Sequence, residues 1–313
     1  MTYIGVDIGA TSIKAALVGP GPTLLARGTR PTEAQHSLDA SLAQLHALIG
    51  ELHAQLDGEL RGIGVGVPGA IDQERGIVYA PPNMPAWKEV ALARALGDTW
   101  HCPVRIDNDA NCAALGEAYF GAGRGETHFL GLTLGTGVGA GIIVERRIFH
   151  GMRGFAGEFG HLTIDMNGPR CGCGNRGCVE AFVGIQHLMR EALPHLLEAG
   201  DSLLHERARN APATLTPRDL SLAAEAGDPV AAAVLRLAGE RLGVAIASAA
   251  NLLDITVFIV GGGIAKAGAP LFNGMRDAAR ERVLAVHRDA LRILPAEHGN
   301  DAGMLGAAAL FLD

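Results

Sequence analysis

The sequence predicts an α/β protein built from two domains, and three observations support this prediction. Segments with the apolar pattern of strands alternate along the chain with segments of helical period. The 313 residues exceed what a single hydrophobic core usually organises. A strand–glycine turn–strand unit occurs near the start, at Ile4–Val18, and again at Phe129–Val144. Each half is therefore expected to begin with the same local structure.

The first half alternates short strands with helices. Apolar residues at helical spacing predict a helix from Leu38 to Leu56, and Ser37 is suited to cap it. A second helix is predicted to start near Ala110. Tyr79–Trp87 is rich in proline and is predicted to be a surface loop. The predicted strands are Tyr3–Asp7, Ile13–Val18, Leu24–Gly28, Gly62–Val67 and Val104–Ile106.

The second half contains the longest predicted helix, Pro229–Leu253. Asp228 can cap this helix, and proline suits its first position. The all-apolar run Ile255–Val260 is typical of a buried central strand. Gly151–Cys178 is polar and rich in glycine. The remaining predicted elements are the strands His128–Leu134 and Ala140–Val144 and an apolar helix at Gly303–Leu312.

Composition excludes several classes of function. The hydrophobic fraction of 48% and the charged fraction of 19% are typical of an ordinary globular protein. A net charge of -7 argues against a nucleic-acid partner, which requires a basic surface. No apolar run is long enough for a membrane span, and no signal-peptide pattern is visible. We therefore expect a cytoplasmic protein with no membrane or nucleic-acid partner.

The first glycine turn combines an acid, a glycine and hydroxyl side chains. Its residues are Asp7, Ile8, Gly9, Ala10, Thr11, Ser12, Ile13 and Lys14. Backbone N–H groups in such a turn can wrap a phosphate, and a carboxylate at Asp7 can hold Mg²⁺ or its waters. A plain β-hairpin with one glycine explains the pattern equally well when it is taken alone.

Two further glycine runs follow strands in the second half. The segment 134–141 alternates glycines with Thr136, and it lacks the Gly-Lys-Ser/Thr ending of a Walker loop and the long helix of a dinucleotide-binding fingerprint. Gly261–Gly263 ends the predicted central strand, where ligands gather in α/β sheets. Two phosphate hairpins, one in each half, are the arrangement of actin-like ATPases.

Three of the five cysteines lie within eight residues, at Cys171, Cys173 and Cys178. This spacing favours a metal rather than disulfides, and a structural zinc requires a fourth ligand. His161 is the nearest candidate; Cys102 and His150 are less favoured because nothing local directs them to the cluster. The alternative is a set of buried thiols without a metal.

The candidate catalytic carboxylate is Asp109, which lies between Asn108 and Asn111 where a strand meets a helix. Helix N–H groups there should keep it ionised. A simple N-cap aspartate is the alternative. Glu158 and Glu180 flank the cysteine cluster, and ordinary surface glutamates would look the same.

Taken together, these motifs resemble the ROK family of sugar kinases and sugar-responsive repressors. The similarity covers nearly the whole chain, and its most specific part is Glu-x-Gly-His followed by Cys-x-Cys-Gly-x-x-Gly-Cys-x-Glu. The matching segments are the first glycine turn, 66–69, 108–111, 135–137, 158–161, 171–180 and 261–263. One departure is Ala10, where many members carry a second glycine.

The resemblance implies two actin-like (ribonuclease H-like) α/β domains with a cleft between them, and a homodimer or dimer of dimers. The expected domains are residues 1–118, with a C-terminal helix at about 300–313 packing back onto them, and residues 119–299, which carry the zinc knuckle.

The resemblance also assigns roles to matching residues. Asp109 resembles the base that accepts the proton of the sugar hydroxyl. The sugar-binding positions are Gly69, Asn83, Asn108, Asp109, Glu158, His161 and Glu180. The nucleotide-binding positions are Asp7, Gly9, Ala10, Thr11, Ser12, Lys14, Gly135, Thr136, Gly137, Gly262 and Gly263. The zinc ligands are His161, Cys171, Cys173 and Cys178.

These roles imply transfer of a phosphoryl group from Mg-ATP to a hexose, with the 6-hydroxyl of glucose as first candidate. N-acetylmannosamine, N-acetylglucosamine, fructose and allose are alternative substrates, and polyphosphate is an alternative donor. A non-catalytic sugar-binding regulator and a structural zinc module are alternatives from other classes. His161 would bind zinc and face the sugar, so disturbing the cluster is expected to weaken sugar binding far more than ATP binding.

Overall fold

The computed structural model describes residues 2–312. The chain forms two compact units, each made of more than one segment. The first unit contains residues 1–131, 141–157 and 300–313, and the second contains residues 132–140 and 158–299. None of the helices in the described part of the chain is long and apolar enough to cross a membrane. The predicted boundary between residues 118 and 119 stays a prediction.

The first unit is built on a five-stranded mixed sheet in the order β3-β2-β1-β4-β8. β1 pairs antiparallel with β2 and parallel with β4. The chain between β4 and β8 forms a separate three-stranded antiparallel sheet in the order β5-β6-β7. The strands are β1 (Thr2–Ile8), β2 (Ser12–Val18), β3 (Leu24–Pro31), β4 (Leu60–Val67), β5 (Ala70–Asp72), β6 (Ile77–Tyr79), β7 (Glu89–Val90) and β8 (Val104–Asn108).

The helices of the first unit cover its sheet. They are α1 (Leu38–His53), α2 (Leu92–Trp100), α3 (Asp109–Phe120) and α11 (Ala302–Ala309). Leu45, Leu48 and Ile49 of α1 are buried in one core with Ile4 and Val6 of β1. Helix α1 begins at the predicted residue, and the Ser37 side chain accepts a hydrogen bond from the Ala40 N–H.

The second five-stranded sheet has the order β11-β10-β9-β12-β13. Its strands are β9 (Phe129–Leu134), β10 (Val138–Val144), β11 (Arg147–Ile148), β12 (Val257–Gly261) and β13 (Arg292–Pro295). The other helices are α4 (Glu180–Val183), α5 (Ile185–Glu198), α6 (His205–Asn210), α7 (Pro217–Glu225), α8 (Pro229–Leu253), α9 (Ala269–Arg282) and α10 (Ala285–Arg288). Helix α8 has the predicted bounds, with the Asp228 side chain accepting from the N–H groups of Val230 and Ala231.

The α/β fold class is confirmed, and one local expectation needs correction. The segment Tyr79–Trp87 is largely irregular, as predicted, but it is more than a surface loop. The side chains of Met84 and Trp87 are each only 1% exposed. They belong to the core of the first unit because a proline-rich loop can still anchor apolar side chains beneath it.

Candidate active site and metal centre

Asp109 is the first residue of α3, directly after strand β8. The Oδ1 atom of Asn108 caps the helix by accepting from the N–H groups of Ala110 at 2.9 Å and Asn111 at 3.4 Å. Asp109 Oδ1 also accepts from the Ala110 N–H at 2.9 Å. The positive end of the helix dipole and these N–H groups favour the ionised carboxylate.

Gly69, another predicted sugar residue, contacts this junction. The Nδ2 atom of Asn108 donates to the carbonyl of Gly69 at 3.3 Å, so these two residues are brought together. Gly69 has φ +95°, and an added Cβ would lie 2.8 Å from Pro81 Cα, which explains the glycine. Asn83 is exposed, with φ 62°, and its carbonyl accepts from Gln35 Nε2 at 2.9 Å.

Asp107 is a site residue that sequence reasoning missed. It is 2% exposed, and its Oδ1 accepts from the Asn111 side-chain amide at 2.8 Å and the Asn108 N–H at 2.7 Å. Its Oδ2 lies 2.7 Å from His150 Nε2. His150, considered above only as a less favoured metal ligand, therefore contacts this aspartate. The network fixes the backbone and cap on which Asp109 depends.

The first glycine turn joins β1 to β2. The Gly9 N–H donates to the Ser12 carbonyl at 2.9 Å, and the Thr32 hydroxyl donates to the Gly9 carbonyl at 2.6 Å. Ala10 and Ser12 are partly exposed and Thr11 is exposed, so the turn is open to a ligand. These contacts give the turn a fixed shape.

Asp7 lies at the end of β1 beside this turn. Its Oδ2 is 3.8 Å from Lys14 Nζ, and a Cβ added to Gly303 of α11 would lie 3.0 Å from its Cγ. Burial raises the pKa of the Asp7 carboxyl, and the positive charge of Lys14 opposes that rise. A carboxylate so enclosed is suited to a divalent cation, which would favour its ionised form.

The second glycine turn joins β9 to β10. The Gly135 N–H donates to the Gly137 carbonyl at 2.9 Å, and Thr136 between them is exposed. The third glycine run lies against the same strand end. Gly262 has φ +91°, and an added Cβ would lie 2.3 Å from the Leu134 carbonyl oxygen, whereas Gly263 has open space around it. The two predicted nucleotide elements of the second unit are thus neighbours.

The predicted metal ligands converge. One ligand atom from each of His161, Cys171, Cys173 and Cys178 lies within 4.8 Å of all the others. The Cys171 sulfur is 3.7 Å from His161 Nδ1, and the sulfurs of Cys173 and Cys178 are 3.8 Å apart. A tetrahedral zinc with bonds of about 2.0–2.3 Å separates its ligand atoms by roughly 3.5–3.8 Å. The donor set and its spacing therefore fit Zn²⁺.

The chemistry of the cluster also fits a cation. Burial raises the pKa of the Cys171 thiol and raises the pKa of Cys178 to about 12, while the Asn175 backbone lowers the pKa of Cys173. Buried thiols of this kind become thiolates when a metal supplies positive charge. His161 directs Nδ1 to the cluster, and its Nε2 lies 3.8 Å from Glu158 Oε2.

Glu180 begins α4, two residues after Cys178. Its Oε2 accepts from the Val138 N–H at 3.1 Å, and its Oε1 lies 3.7 Å from the Cys171 sulfur. Sequence reasoning placed Glu180 beside the sugar and did not anticipate its contact with the second glycine turn. No local pattern could have revealed it, since Val138 and Glu180 are 42 residues apart.

Comparison with known proteins gives a consistent result. The model of the ROK family matches residues 3–313. A glucokinase of Thermotoga maritima is 34% identical over 99% of this chain and 97% of its own. The crystal structure of a ROK family glucokinase from Streptomyces griseus with glucose and AMPPNP covers 99% of both chains, with 32% identity and a TM-score of 0.87. A xylose repressor of Bacillus subtilis is 28% identical over 99% of this chain and 77% of its own.

Proposed function

The chain belongs to the ROK family, and we propose that it transfers the γ-phosphoryl group of ATP to the 6-hydroxyl of glucose. The observation that carries this proposal is similarity to glucokinases over 98–99% of this chain and 94–97% of theirs. The enzyme is an ATP:hexose phosphotransferase with two α/β domains of the actin-like type. The roles that we propose for its site residues are supported by the family motifs and by the local geometry.

In the proposed mechanism, Asp109 accepts the proton of the attacking hydroxyl. Phosphoryl transfer of this kind depends mainly on positioning and on charge stabilisation. The N–H groups of the turns at 9–12 and 135–137 and the glycines Gly262 and Gly263 bind the nucleotide. Asp7 would hold Mg²⁺ or its waters, and Mg²⁺ bound there would neutralise charge on the phosphates. Lys14 supports Asp7 through their ion pair.

The residues that we propose to contact the sugar hydroxyls are Gly69, Asn83, Asn108, Glu158, His161 and Glu180. Zn²⁺, held by His161 and the three cysteines, would fix the His161 ring with Nε2 free for the substrate. Zn²⁺ bound by these four residues would help to order the sugar site and would take no direct part in the reaction.

A coupled kinase assay tests the proposal. It compares glucose, N-acetylmannosamine, N-acetylglucosamine, fructose and allose, each with ATP and with polyphosphate, and NMR locates the phosphate on the product. Glucose with ATP should give the highest kcat/KM and a 6-phosphate. A higher kcat/KM for another combination of sugar and donor would show that the proposed substrate or donor is wrong. Sugar binding without any transfer would identify a regulator, as the xylose repressor of Bacillus subtilis is by its name.

We also propose that the protein is a homodimer or a dimer of dimers. In the second unit, Leu252, Leu284 and Val286 are 80%, 57% and 77% exposed, and Asn251 Oδ1 accepts from the Leu284 N–H at 3.0 Å, which joins the two segments. Exposed apolar groups of this kind often mark an interface. Light scattering during size-exclusion chromatography should give at least twice the 32.5 kDa chain mass; a monomer at micromolar concentration would contradict the proposal.

A further inference from the structure

The second glycine turn rests on the segment that follows the last cysteine of the metal cluster. The Val138 N–H donates to Glu180 Oε2 at 3.1 Å, and the Ile185 N–H donates to the Gly135 carbonyl at 3.1 Å. A Cβ added to Gly184 would lie 2.9 Å from the Thr136 carbonyl oxygen. Three positions of the turn, Gly135, Thr136 and Val138, are therefore in contact with residues 180–185.

The segment that carries the histidine ligand touches the same turn. Gly160 precedes His161, and a Cβ added to it would lie 2.1 Å from the Val138 carbonyl oxygen. The peptide groups of Val138 thus meet one segment through its N–H and the other through its carbonyl. A metal bound by ligands from both segments would keep the two segments at a fixed distance from each other, with Val138 in contact with both.

Glu180 makes the most specific of these contacts. One carboxylate oxygen accepts from the turn, and the other lies 3.7 Å from the Cys171 sulfur. Gly137 allows this approach, because an added Cβ would lie 2.3 Å from Glu180 Oε2. The next residue, Ala181, is 1% exposed and belongs to the small buried cluster with Cys171 and Cys178, which anchors the start of α4.

We infer that Glu180 is a positioning residue for nucleotide binding: it holds the second glycine turn against the Cys/His cluster, in addition to any contact with sugar. This inference rests on the proposed function, which assigns the turn to the nucleotide. It revises the expectation that disturbing the cluster affects mainly the sugar. Losing Glu180 or the metal should weaken nucleotide binding even when no sugar is present.

The test measures Mg-AMPPNP affinity by calorimetry without sugar, and hydrogen exchange of peptides covering 132–140, in zinc-loaded protein. Glu180→Ala should weaken AMPPNP by about ten- to a hundredfold, the usual range for loss of a supporting contact, and should speed exchange at Val138. Glu180→Gln should keep most of the AMPPNP affinity and most of the slow exchange at Val138, because its amide oxygen can still accept a hydrogen bond from the Val138 N–H. Zinc content should stay that of the wild type in both variants.

Glu158→Ala is the matched control. Its side chain is 66% exposed and faces His161 instead of the turn, so it should weaken glucose and leave AMPPNP affinity and exchange at 132–140 unchanged. Wild-type values for AMPPNP affinity and exchange in Glu180→Ala would overturn the inference, as would equal losses in Glu180→Gln. If Glu180→Ala does not fold, Glu180→Asp, one methylene too short to reach Val138, replaces it.

The exchange readout separates this inference from the proposed function. If the wild type binds no AMPPNP at all, the assignment of the turn to nucleotide is wrong. Faster exchange at Val138 in Glu180→Ala would then still support the role of Glu180 in holding the turn, and unchanged exchange would refute both. Removing zinc from the wild type should raise exchange at the same peptide; an unchanged rate would limit the role to Glu180 itself and overturn the link to the metal.

Discussion

Asp109 is the first residue of α3, so its carboxylate lies close to the backbone N–H groups of the first helical turn. The helix dipole and these N–H groups stabilise the carboxylate as the anion. Phosphoryl transfer requires little basicity of such a group, because the transition state is loose and the hydroxyl proton becomes acidic only as bonding to phosphorus advances. Firm orientation then matters more than basicity, and Asn108 and Asp107 provide it through their hydrogen bonds to α3.

Asp109→Asn should lower kcat by about a hundredfold or more, the scale expected for loss of a positioned base. The amide oxygen can still accept the Ala110 N–H, so the thermal midpoint and the dissociation constant for glucose should change little. Asp98→Asn serves as control, because the Asp98 side chain is 74% exposed and pairs with Arg94 on α2; its kcat should match the wild type. Near-normal turnover in Asp109→Asn would remove this residue from the mechanism.

The residues that sequence reasoning identified share a local pattern. Asn108 and Asp109 follow an apolar strand and precede a helix, so cap chemistry points to them. Asp107 stands beside them but acts through His150, 43 residues away, and Asn111. Its importance depends on a tertiary contact that no spacing rule contains, and so it could not be found in the sequence alone.

Among the elements, the cysteine knuckle has little apolar material to stabilise it. Its buried cluster consists of Cys171, Cys178 and Ala181. Leu162 and Met166, which lie between His161 and Cys171 in the sequence, are 38% and 79% exposed. Small folds with so few buried groups generally depend on a metal or on disulfides. The cysteines of the described chain form no disulfide, and a metal is therefore the group that we propose to stabilise the knuckle.

Elemental analysis should find about one zinc per chain, as expected for one four-ligand site. A strong chelator should lower the thermal midpoint measured by circular dichroism, and added Zn²⁺ should restore it, because bound metal stabilises only the folded state. Cys171→Ser/Cys173→Ser should lose both the zinc and the response to chelator. Cys102→Ser, in the first unit, is the control and should keep both. A double variant that retains stoichiometric metal would refute the ligand assignment.

Helix α8 was predicted at its observed bounds because Asp228 and Pro229 mark its start. Helix α7 has comparable signals, a capping box between Thr216 and Asp219 with proline at the first position, yet it was not predicted. Its nine residues are too few for a convincing apolar period. Helix α5 contains Pro194 and has no side-chain cap, so its 14 residues give no clear start signal.

At the scale of the whole molecule, the C-terminal segment returns to the first unit, which contains residues 300–313. Helix α11 contacts β1 and β4 at glycines. A Cβ added to Gly5 would lie 1.9 Å from the Met304 carbonyl oxygen, and one added to Gly64 would lie 1.8 Å from that of Ala307. The helix backbone therefore packs directly on the sheet that carries the first glycine turn. The apolar run in the sequence predicted the helix itself. Its packing onto the first domain was implied only by the family resemblance.

The same helix packs against α3 through Gly116 and Gly306, and this contact leads to a prediction about the whole fold. A Cβ at Gly306 would lie 1.6 Å from the Cys112 carbonyl oxygen, and one at Gly116 would lie 2.4 Å from that of Ala302. Backbone atoms cannot move aside as a flexible side chain can, so the two helices would have to separate. Helix α3 begins with Asp109, and a shift there would also misplace the base.

Gly306→Ala should therefore lower the free energy of unfolding by about 1–3 kcal/mol or more, the range for overpacking, despite alanine's higher helix propensity of about 1 kcal/mol. The chain's two tryptophans, Trp87 and Trp100, both lie in the first unit, so urea unfolding followed by their fluorescence reports on this unit. Gly125→Ala is the matched control, because a Cβ there meets nothing within 4 Å. The kcat of Gly306→Ala should fall as well, measured well below its unfolding midpoint. Stability equal to that of Gly125→Ala would mean that the two helices do not pack as closely as the structure places them.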